Sequence, residues 1–145
     1  MELKWSNEYN IGNNIIDAQH KRLFELVNSL SRLDAEKATQ DHMKKVLDFT
    51  LRYAARHFKD EEILQAMYQY PDYKAHKKIH EDFVATASKL VEQYLAGFSP
   101  ELFNNLKNIL YDWVKQHILV EDRKIGEYTK GRVPDLARLV LARRG

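Results

Sequence analysis

Apolar residues recur at intervals of three and four positions along four long stretches of this chain. Such spacing places them on one face of an α-helix, with charged and polar residues on the opposite face. The stretches cover approximately residues 14–33, 40–66 and 71–95, and the last begins at residue 100. Because only short connections join them, they predict an all-α fold, namely an antiparallel up-down four-helix bundle.

Proline and glycine residues mark the limits of these helices. Pro71 suits the first turn of the third helix, and Gly97 is expected to end that helix. Ser99 and Pro100 then supply a cap followed by a proline at the first position of the fourth helix. Residues 1–13 lack this periodicity and are expected to form an extended N-terminal arm.

The composition is that of one ordinary globular domain. The 145 residues are 44% hydrophobic and 30% charged, and the net charge of +2 is too small to indicate a nucleic-acid-binding protein. The absence of cysteine excludes disulfides, thiolate metal sites and thiol catalysis. The N-terminus carries charge without an apolar signal segment, and no apolar run approaches the length of a membrane span. We therefore expect no transmembrane segment and a cytoplasmic location.

A basic segment follows the fourth helix. We expect residues 1–128 to form the bundle and residues 129–145 to form a basic amphipathic extension, in which Pro134 starts a short C-terminal helix. Two interpretations remain open for residues 133–145: the helix packs back on the bundle, or it docks to an acidic protein partner or an anionic membrane surface. The apolar stripe of this helix would consist of Leu136, Leu139 and Val140.

Seven polar residues lie at positions of the four stretches where apolar residues would be expected. Burying so many imidazoles and carboxylates is unfavourable unless each finds a partner, and a pair of metal ions would serve as a shared one. The segments HFKDE (57–61) and HKKIH (76–80) each place two donors four residues apart, on one helix face. The candidate metal ligands are His20, His57, Glu61, His76, His80, His117 and Asp122.

The number of these ligands favours two ions with unequal coordination. Three histidines, two bridging carboxylates and one bridging solvent oxygen make six bonds, whereas two histidines with the same bridges make five. One ion would then keep an open position, where a small molecule can bind. Helix geometry alone favours Glu121, four residues after His117, as a bridge. Asp122 lies five residues on and needs a local irregularity such as a π-bulge.

The chain resembles the hemerythrin family, in particular its single-domain bacterial members, the bacteriohemerythrins. The resemblance covers nearly everything from Trp5 to Tyr128, and it rests on motifs that occur in the family's order. It implies a four-helix bundle that holds two iron ions in a non-haem di-iron centre and binds dioxygen reversibly. The motifs are IDAQHKRL (16–23), HFKDEE (57–62), YPDYKAHKKIH (70–80) and WVKQHILVED (113–122).

The resemblance also implies a role for each candidate ligand. Three histidines would hold the six-coordinate iron, two would hold the iron with the open position, and two carboxylates would bridge the irons. The family pattern places the second bridge at Asp122 and not at Glu121. The three sets are, in that order, His76, His80 and His117; His20 and His57; and Glu61 and Asp122.

Five apolar residues match the lining that the family has over the open position: Leu23, Phe58, Trp113, Val114 and Ile118. The family usually has leucine where this chain has Val114, so the resemblance implies a looser gate for the ligand. All five are also consistent with plain bundle core. The function implied is dioxygen carriage, storage or delivery without catalysis. Two alternatives would use the same centre: an oxygen or redox sensing module, and a peroxidase or nitric-oxide-handling enzyme.

Overall fold

The computed structural model describes residues 2–138, and every regular element in that range is helical. None of these described helices combines the length and the apolarity needed to cross a lipid bilayer. The all-α class predicted from the sequence is confirmed. The elements are α1 (Asn14–Ser31), α2 (Gln40–Met67), α3 (Tyr73–Ala96), α4 (Pro100–Gln116) and α5 (Arg123–Thr129), with a π-helical segment at His117–Asp122 and 3₁₀ turns at Asn7–Tyr9 and Ala35–Lys37.

The first four helices form the predicted antiparallel up-down bundle. α1 packs against α2 and α4, and α3 packs against the same two helices. Short connections reverse the chain direction from each helix to the next. The main apolar core lies between the four helices, and its most completely buried side chains include Met43, Phe103, Leu106 and Ile118, each at most 1% exposed.

Side-chain caps fix the start of three of these helices. The Asn13 side chain accepts hydrogen bonds from two backbone N–H groups of α1, and the Ser99 hydroxyl accepts one from α4. At the start of α2, Thr39 Oγ1 accepts from the His42 backbone N–H at 3.1 Å, and His42 Nδ1 accepts from the Thr39 N–H at 3.0 Å. This reciprocal capping box gives the exposed His42 a structural role, apart from the five interior histidines.

The connection between α2 and α3 differs from the prediction. Pro71 lies in a turn two residues before Tyr73, so the expectation that it occupies the first turn of the third helix is wrong. α2 ends instead in a Schellman motif, in which the Tyr70 N–H donates to the Gln65 carbonyl oxygen at 2.9 Å and Gln69 adopts a left-handed φ of 53°. The chain needs these residues to complete the motif before α3 can begin.

The N-terminal arm lies along the bundle and is tied to α1. Leu3 exchanges two hydrogen bonds with the Asn28 side chain, at 2.7 and 2.8 Å, and the Ile11 N–H donates to Asp17 Oδ1 at 2.8 Å. The arm then passes so close to α5 that a Cβ on Gly126 would lie 2.9 Å from the Cα of Ile11. A second apolar cluster closes this end of the molecule and consists of Ile11, Ile16, Leu64, Tyr70 and Ile125.

The described part of the C-terminal extension contacts the end of α2. The Asp135 N–H donates to the carbonyl oxygen of the last residue of α2 at 2.8 Å, and Asp135 Oδ1 accepts from the Ala137 N–H as a helix cap does. Leu136, from the predicted apolar stripe, is 67% exposed. The other two stripe residues, Leu139 and Val140, lie outside the described residues. Whether the stripe packs or docks therefore stays a prediction.

Candidate metal centre

The seven polar residues predicted to face inwards meet at one place in the bundle interior. All seven are buried, with at most 2% of each residue exposed. They form two groups, and within each group one nitrogen or oxygen atom from every residue lies within 4.8 Å of those from the others. Glu61 and Asp122 belong to both groups. The three-histidine group is completed by His76, His80 and His117, and the two-histidine group by His20 and His57.

Each shared carboxylate turns one oxygen towards each group. Glu61 Oε2 lies 2.8 Å from Nε2 of His57, whereas its Oε1 lies 3.1 Å from Nε2 of His76. Asp122 Oδ2 lies 2.8 Å from Nε2 of His20, whereas its Oδ1 lies 3.0 Å from Nε2 of His76. A carboxylate has acceptor sites on both oxygens. This disposition therefore suits two residues that each bridge a pair of cations.

Ordinary helical periodicity delivers five of these side chains. His57 and Glu61 lie one turn apart on α2, and His76 and His80 lie one turn apart on α3. His20 comes from α1. The helices that carry them are packed side by side, so residues distant in the chain reach the same small volume.

The π-helical segment delivers the remaining pair, His117 and Asp122. Residues five apart on an α-helix point about 140° away from each other, but π winding returns them to one face. Both side chains are almost completely buried. Glu121 belongs to neither group; its side chain is 24% exposed and lies 3.7 Å from the Lys124 ammonium. The local irregularity predicted for Asp122 is present, and it brings Asp122, but not Glu121, into both groups.

The donor atoms of the centre converge without satisfying one another. Several of them are buried and make no well-directed hydrogen bond with the described residues, although imidazole and carboxylate atoms come as close as 2.8 Å: His20 Nε2, His57 Nε2, Glu61 Oε2 and both carboxylate oxygens of Asp122. Buried polar atoms are nearly always paired, so such a set requires an explanation, and a bound ion is one. Imidazole nitrogens combined with carboxylate oxygens suit iron, zinc, copper or nickel. The residues therefore fit a pair of first-row transition-metal ions.

Without a metal, protons take the place of cations in the centre. Burial lowers the pKa of a histidine, but the close contacts and negative charges of the two shared carboxylates outweigh it and raise the pKa of His20 and His76 to about 9. Against the same effect of burial, these carboxylates raise the pKa of His117 to about 10. In His57, by contrast, burial prevails and lowers the pKa.

The carboxylates respond in the opposite direction. Burial raises the pKa of Glu61 and Asp122, but the positive charge of the neighbouring histidines overcomes it. His117 acts on both residues, and it holds each carboxyl pKa below its usual range. Protons and metal ions thus compete for the same buried atoms. Metal binding should accordingly release protons from the histidines.

Two residues outside the predicted set contact histidines of the centre at Nδ1, the ring nitrogen that faces away from the other ligands. Gln19 Oε1 lies 2.8 Å from Nδ1 of His57, and Glu62 Oε2 lies 3.0 Å from Nδ1 of His80. Neither residue is predicted from the sequence, because ligand spacing identifies inner contacts only. Each nevertheless stands next to a candidate ligand in the chain, inside a motif that carries the resemblance. Looking for acceptors beside the candidate ligands would have found both.

The five predicted pocket residues are part of the core around the centre. The ring of Phe58 stacks on His80 with centroids 3.9 Å apart, and the ring of Trp113 stacks on His117 at 4.2 Å. These two aromatic side chains therefore cover members of the three-histidine group. Their role in lining a ligand pocket stays a prediction. The other three, Leu23, Val114 and Ile118, are buried in the main core.

Known proteins are similar to this chain in sequence and in fold. Residues 11–128 match the family model described as the hemerythrin HHE cation binding domain. The chain is 30% identical over 138 residues to a bacteriohemerythrin of Stenotrophomonas maltophilia, with 94% of this chain and 87% of the relative covered. It is 34% identical over 121 residues to one of Pseudomonas aeruginosa, with 83% and 76% covered. A wild-type hemerythrin crystal structure superposes with a TM-score of 0.72 at 28% identity, covering 86% of this chain and 95% of that one. The chain belongs to the hemerythrin family.

Proposed function

We propose that this protein binds dioxygen reversibly at a non-haem di-iron centre, as an oxygen carrier, store or delivery protein. The observation that supports this most is the unequal pair of groups that share two carboxylates. Two metal positions with the same bridges, but with three and two histidines, differ in the number of ligands that the protein supplies. A small ligand binds where the protein leaves a coordination position open.

In this proposal each residue of the centre has one role. When bound, the di-iron pair would supply the electrons for reversible dioxygen binding. Five neutral imidazoles and two carboxylates carry less negative charge than the glutamate-rich sites of ferritin-like di-iron proteins. Such a donor set favours reversible binding over oxygen activation. The three-histidine group (His76, His80 and His117) would hold one iron, the two-histidine group (His20 and His57) the other, and Glu61 and Asp122 would bridge them.

The surrounding residues would keep the centre rigid and free of water. The rings of Phe58 and Trp113 stack on histidines, which limits the rotation of the imidazoles. Val114 and Ile118 are at most 1% exposed, and Leu23 is 6% exposed. An apolar surround of this kind controls solvent access to a metal site. Because none of these five side chains acts as an acid or a base near neutral pH, we assign no catalytic residue.

Iron analysis and an optical spectrum test this function. Protein from iron-replete cells should contain about two irons per chain. The reduced protein should change its spectrum on exposure to dioxygen and recover it when dioxygen is removed. His42→Ala is a matched control, because His42 is an exposed histidine that caps α2; it should behave like the wild type. One iron per chain, a preference for zinc in such cells, or an irreversible spectral change would contradict the proposal.

Turnover distinguishes the carrier from an enzyme on the same centre. A carrier should bind dioxygen stoichiometrically and should not consume an added reductant continuously. Steady reduction of dioxygen, peroxide or nitric oxide by the loaded protein would replace the carrier function with an enzymatic one. A protein partner that bound only the oxygenated or only the reduced form would favour a sensor instead.

A further inference from the structure

Two histidines of the metal centre have different partners at Nδ1, the ring nitrogen that faces away from the centre. The partner of His57 is the side-chain amide of Gln19, at 2.8 Å. The partner of His80 is the carboxylate of Glu62, at 3.0 Å. His57 belongs to the two-histidine group and His80 to the three-histidine group. One position thus has a neutral outer partner and the other an anionic one.

The orientation of the Gln19 amide follows from its second contact. Gln19 Nε2 lies 2.7 Å from Asp60 Oδ2, and an ionised carboxylate can only accept a hydrogen bond. The amide nitrogen must therefore face Asp60, and the amide oxygen must face His57. Because that oxygen can only accept, Nδ1 of His57 carries the proton. The lone pair of His57 then lies on Nε2, 2.8 Å from Glu61 and directed into the centre.

The same reasoning shows which ring nitrogen of His80 carries the proton. The Glu62 carboxylate accepts a hydrogen bond from Nδ1, so the lone pair of His80 lies on Nε2. This Nε2 is 3.2 Å from Nε2 of His117 and 3.4 Å from Glu61 Oε1. The side chain of His80 is 3% exposed and that of Glu62 is 19% exposed. The Glu62 charge is therefore only partly screened by solvent.

The surroundings of His57 differ, because the nearest outer carboxylate, that of Asp60, contacts Gln19 and not the imidazole itself. The Asp60 side chain is 29% exposed, and the Arg56 guanidinium lies 3.8 Å away. A hydrogen bond from a coordinated imidazole to a carboxylate makes the imidazole a stronger donor than a hydrogen bond to a neutral group does. The ring of His80 should therefore donate more strongly than the ring of His57.

We propose that Gln19 and Glu62 are positioning residues that direct Nε2 of His57 and His80 onto the two metals, and that their difference in charge makes the two metal positions unequal in affinity. The charge of Glu62 raises the metal affinity of the three-histidine position, whereas the neutral Gln19 leaves the affinity of the two-histidine position lower. This inference rests on the proposed di-iron function, because it assigns outer partners to those ligands. The two metal positions would then differ in the charge of the outer partner as well as in the number of histidines.

The test is chelator competition on the iron-loaded full chain, followed by Mössbauer spectroscopy with enriched iron to show which position empties first. Glu62→Gln keeps the shape and an acceptor but removes the charge. It should lower the affinity of the three-histidine position by about 10- to 100-fold. The double variant Gln19→Glu with Asp60→Asn exchanges amide and carboxylate without changing the net charge. It should raise the affinity of the two-histidine position and narrow the difference between the two.

Two further variants separate charge from shape. Glu81→Gln removes one charge from an exposed position of α3, next to His80 in the chain, and should leave both affinities unchanged. Glu62→Ala removes the acceptor as well as the charge, and should lose iron more readily than Glu62→Gln. Far-UV circular dichroism of each variant confirms that the helices are intact before iron is measured.

The outcomes distinguish this inference from the function on which it rests. If wild-type protein does not hold two irons, the di-iron function itself fails before any variant is made. If the wild type holds two irons and Glu62→Gln binds iron at the three-histidine position with the same affinity, the charge of Glu62 has no effect. The proposed difference in affinity between the two positions is then wrong. If the exchange of Gln19 and Asp60 leaves the two-histidine position unaltered, the role of the amide is overturned.

Discussion

Two regions of the bundle interior are buried to the same degree for opposite physical reasons. In the apolar core, Phe103 and Leu106 are at most 1% exposed, and in the metal centre His57 and Glu61 are not exposed at all. Burying an apolar side chain of this size stabilises the fold by roughly 1.5–3 kcal/mol. Burying a charged or polar group destabilises it unless that group is paired. The core therefore stabilises the bundle unaided, whereas the centre depends on a ligand.

One helical periodicity can thus specify a fold and a site independently. The core side chains and the centre side chains share the same spacing along α2, with Leu47 and Ala54 preceding His57 on the buried face. Only the chemistry of the side chain distinguishes them. Stability and metal binding should consequently respond to different substitutions.

The largest effect should come from a pair of alanine substitutions, one in each region. Leu106→Ala should lower the free energy of unfolding by about 2–5 kcal/mol while the folded protein still binds iron. His57→Ala should abolish reversible oxygen binding, because one iron would lose one of its two imidazoles, yet α2 should remain helical. Chemical denaturation and iron analysis measure both effects. Loss of iron from folded Leu106→Ala, or an unchanged oxygen response in His57→Ala, would remove the distinction between the two regions.

Within the centre, two adjacent carboxylates allow a sharper test. Asp122→Ala should deprive both metal positions of a shared ligand, and the iron content should fall strongly. Glu121→Ala should keep its iron, because the Glu121 side chain points to Lys124 outside both groups. The measurement is the iron content per chain of the two variants, expressed side by side. The reverse order would mean that the π-helical segment does not select the bridging residue.

The stability of the metal-free chain should depend on pH through the ionisable residues of the centre, whereas the apolar core has no such dependence. His20, His76 and His117 have raised pKa values of about 9, 9 and 10, so their stabilising charge is fully present below the ordinary 6.5 and is lost as the pH rises through 9 to 10. The lowered pKa values of Glu61 and Asp122 contribute stability that is lost as the pH falls through the carboxylate range. Unfolding by urea should show a maximum of stability in between, and His76→Ala should flatten the alkaline limb. A metal-free chain equally stable at about pH 6 and 9.5 would contradict these shifts.

How much the sequence could predict follows from the same comparison. The four helices were predictable because apolar periodicity reports burial directly. The seven inward polar residues were predictable because they interrupt that periodicity with side chains that require a partner. The choice of Asp122 needed the family resemblance, since regular helix geometry favours Glu121. The outer partners Gln19 and Glu62 were missed because periodicity carries no information on contacts made behind a ligand. Pro71 was misplaced because nothing in the sequence marks Gln69 as a left-handed residue.

A substitution at the contact between the arm and α5 should affect the fold alone. Gly126→Ala would place a Cβ 2.9 Å from the Cα of Ile11, and backbone on both sides has little room to move. The free energy of unfolding should decrease by roughly 1–3 kcal/mol, while iron content remains that of the wild type. Thermal unfolding with iron analysis measures this. A Cβ on Gly131 would meet no atom within 4 Å, but its left-handed φ of 74° makes that residue unsuitable as a control. Ala96→Gly is the control instead: it exchanges the same two residue types at an exposed position in the last turn of α3, away from the arm, and should leave the iron content unchanged.

The smallest effect should follow from removing the C-terminal extension after Lys130. Truncation eliminates the hydrogen bond from Asp135 to the end of α2, and one such bond contributes about 0.5–1.5 kcal/mol. Iron content and the oxygen response should persist, because both groups of ligands lie before residue 130. Differential scanning calorimetry and iron analysis measure the outcome. Unchanged stability with loss of binding to anionic vesicles would favour docking of residues 133–145 over packing, and loss of iron would make the extension part of the site.

The π-helical segment also sets the rotational phase of everything that follows it. One extra residue in a turn rotates the rest of the helix by about 100° around its axis. Ile125, which is fully buried in the second apolar cluster, and Gly126, which faces Ile11, both depend on that rotation. Deleting one residue such as Val120 would leave Asp122 four residues after His117, where an ordinary α-helix keeps both side chains on one face. Inserting a further residue would instead turn Asp122 from the metals and α5 from the arm at the same time. The match between the number of residues after His117 and the winding of this segment thus determines both which carboxylate reaches the metals and which face of α5 meets the arm.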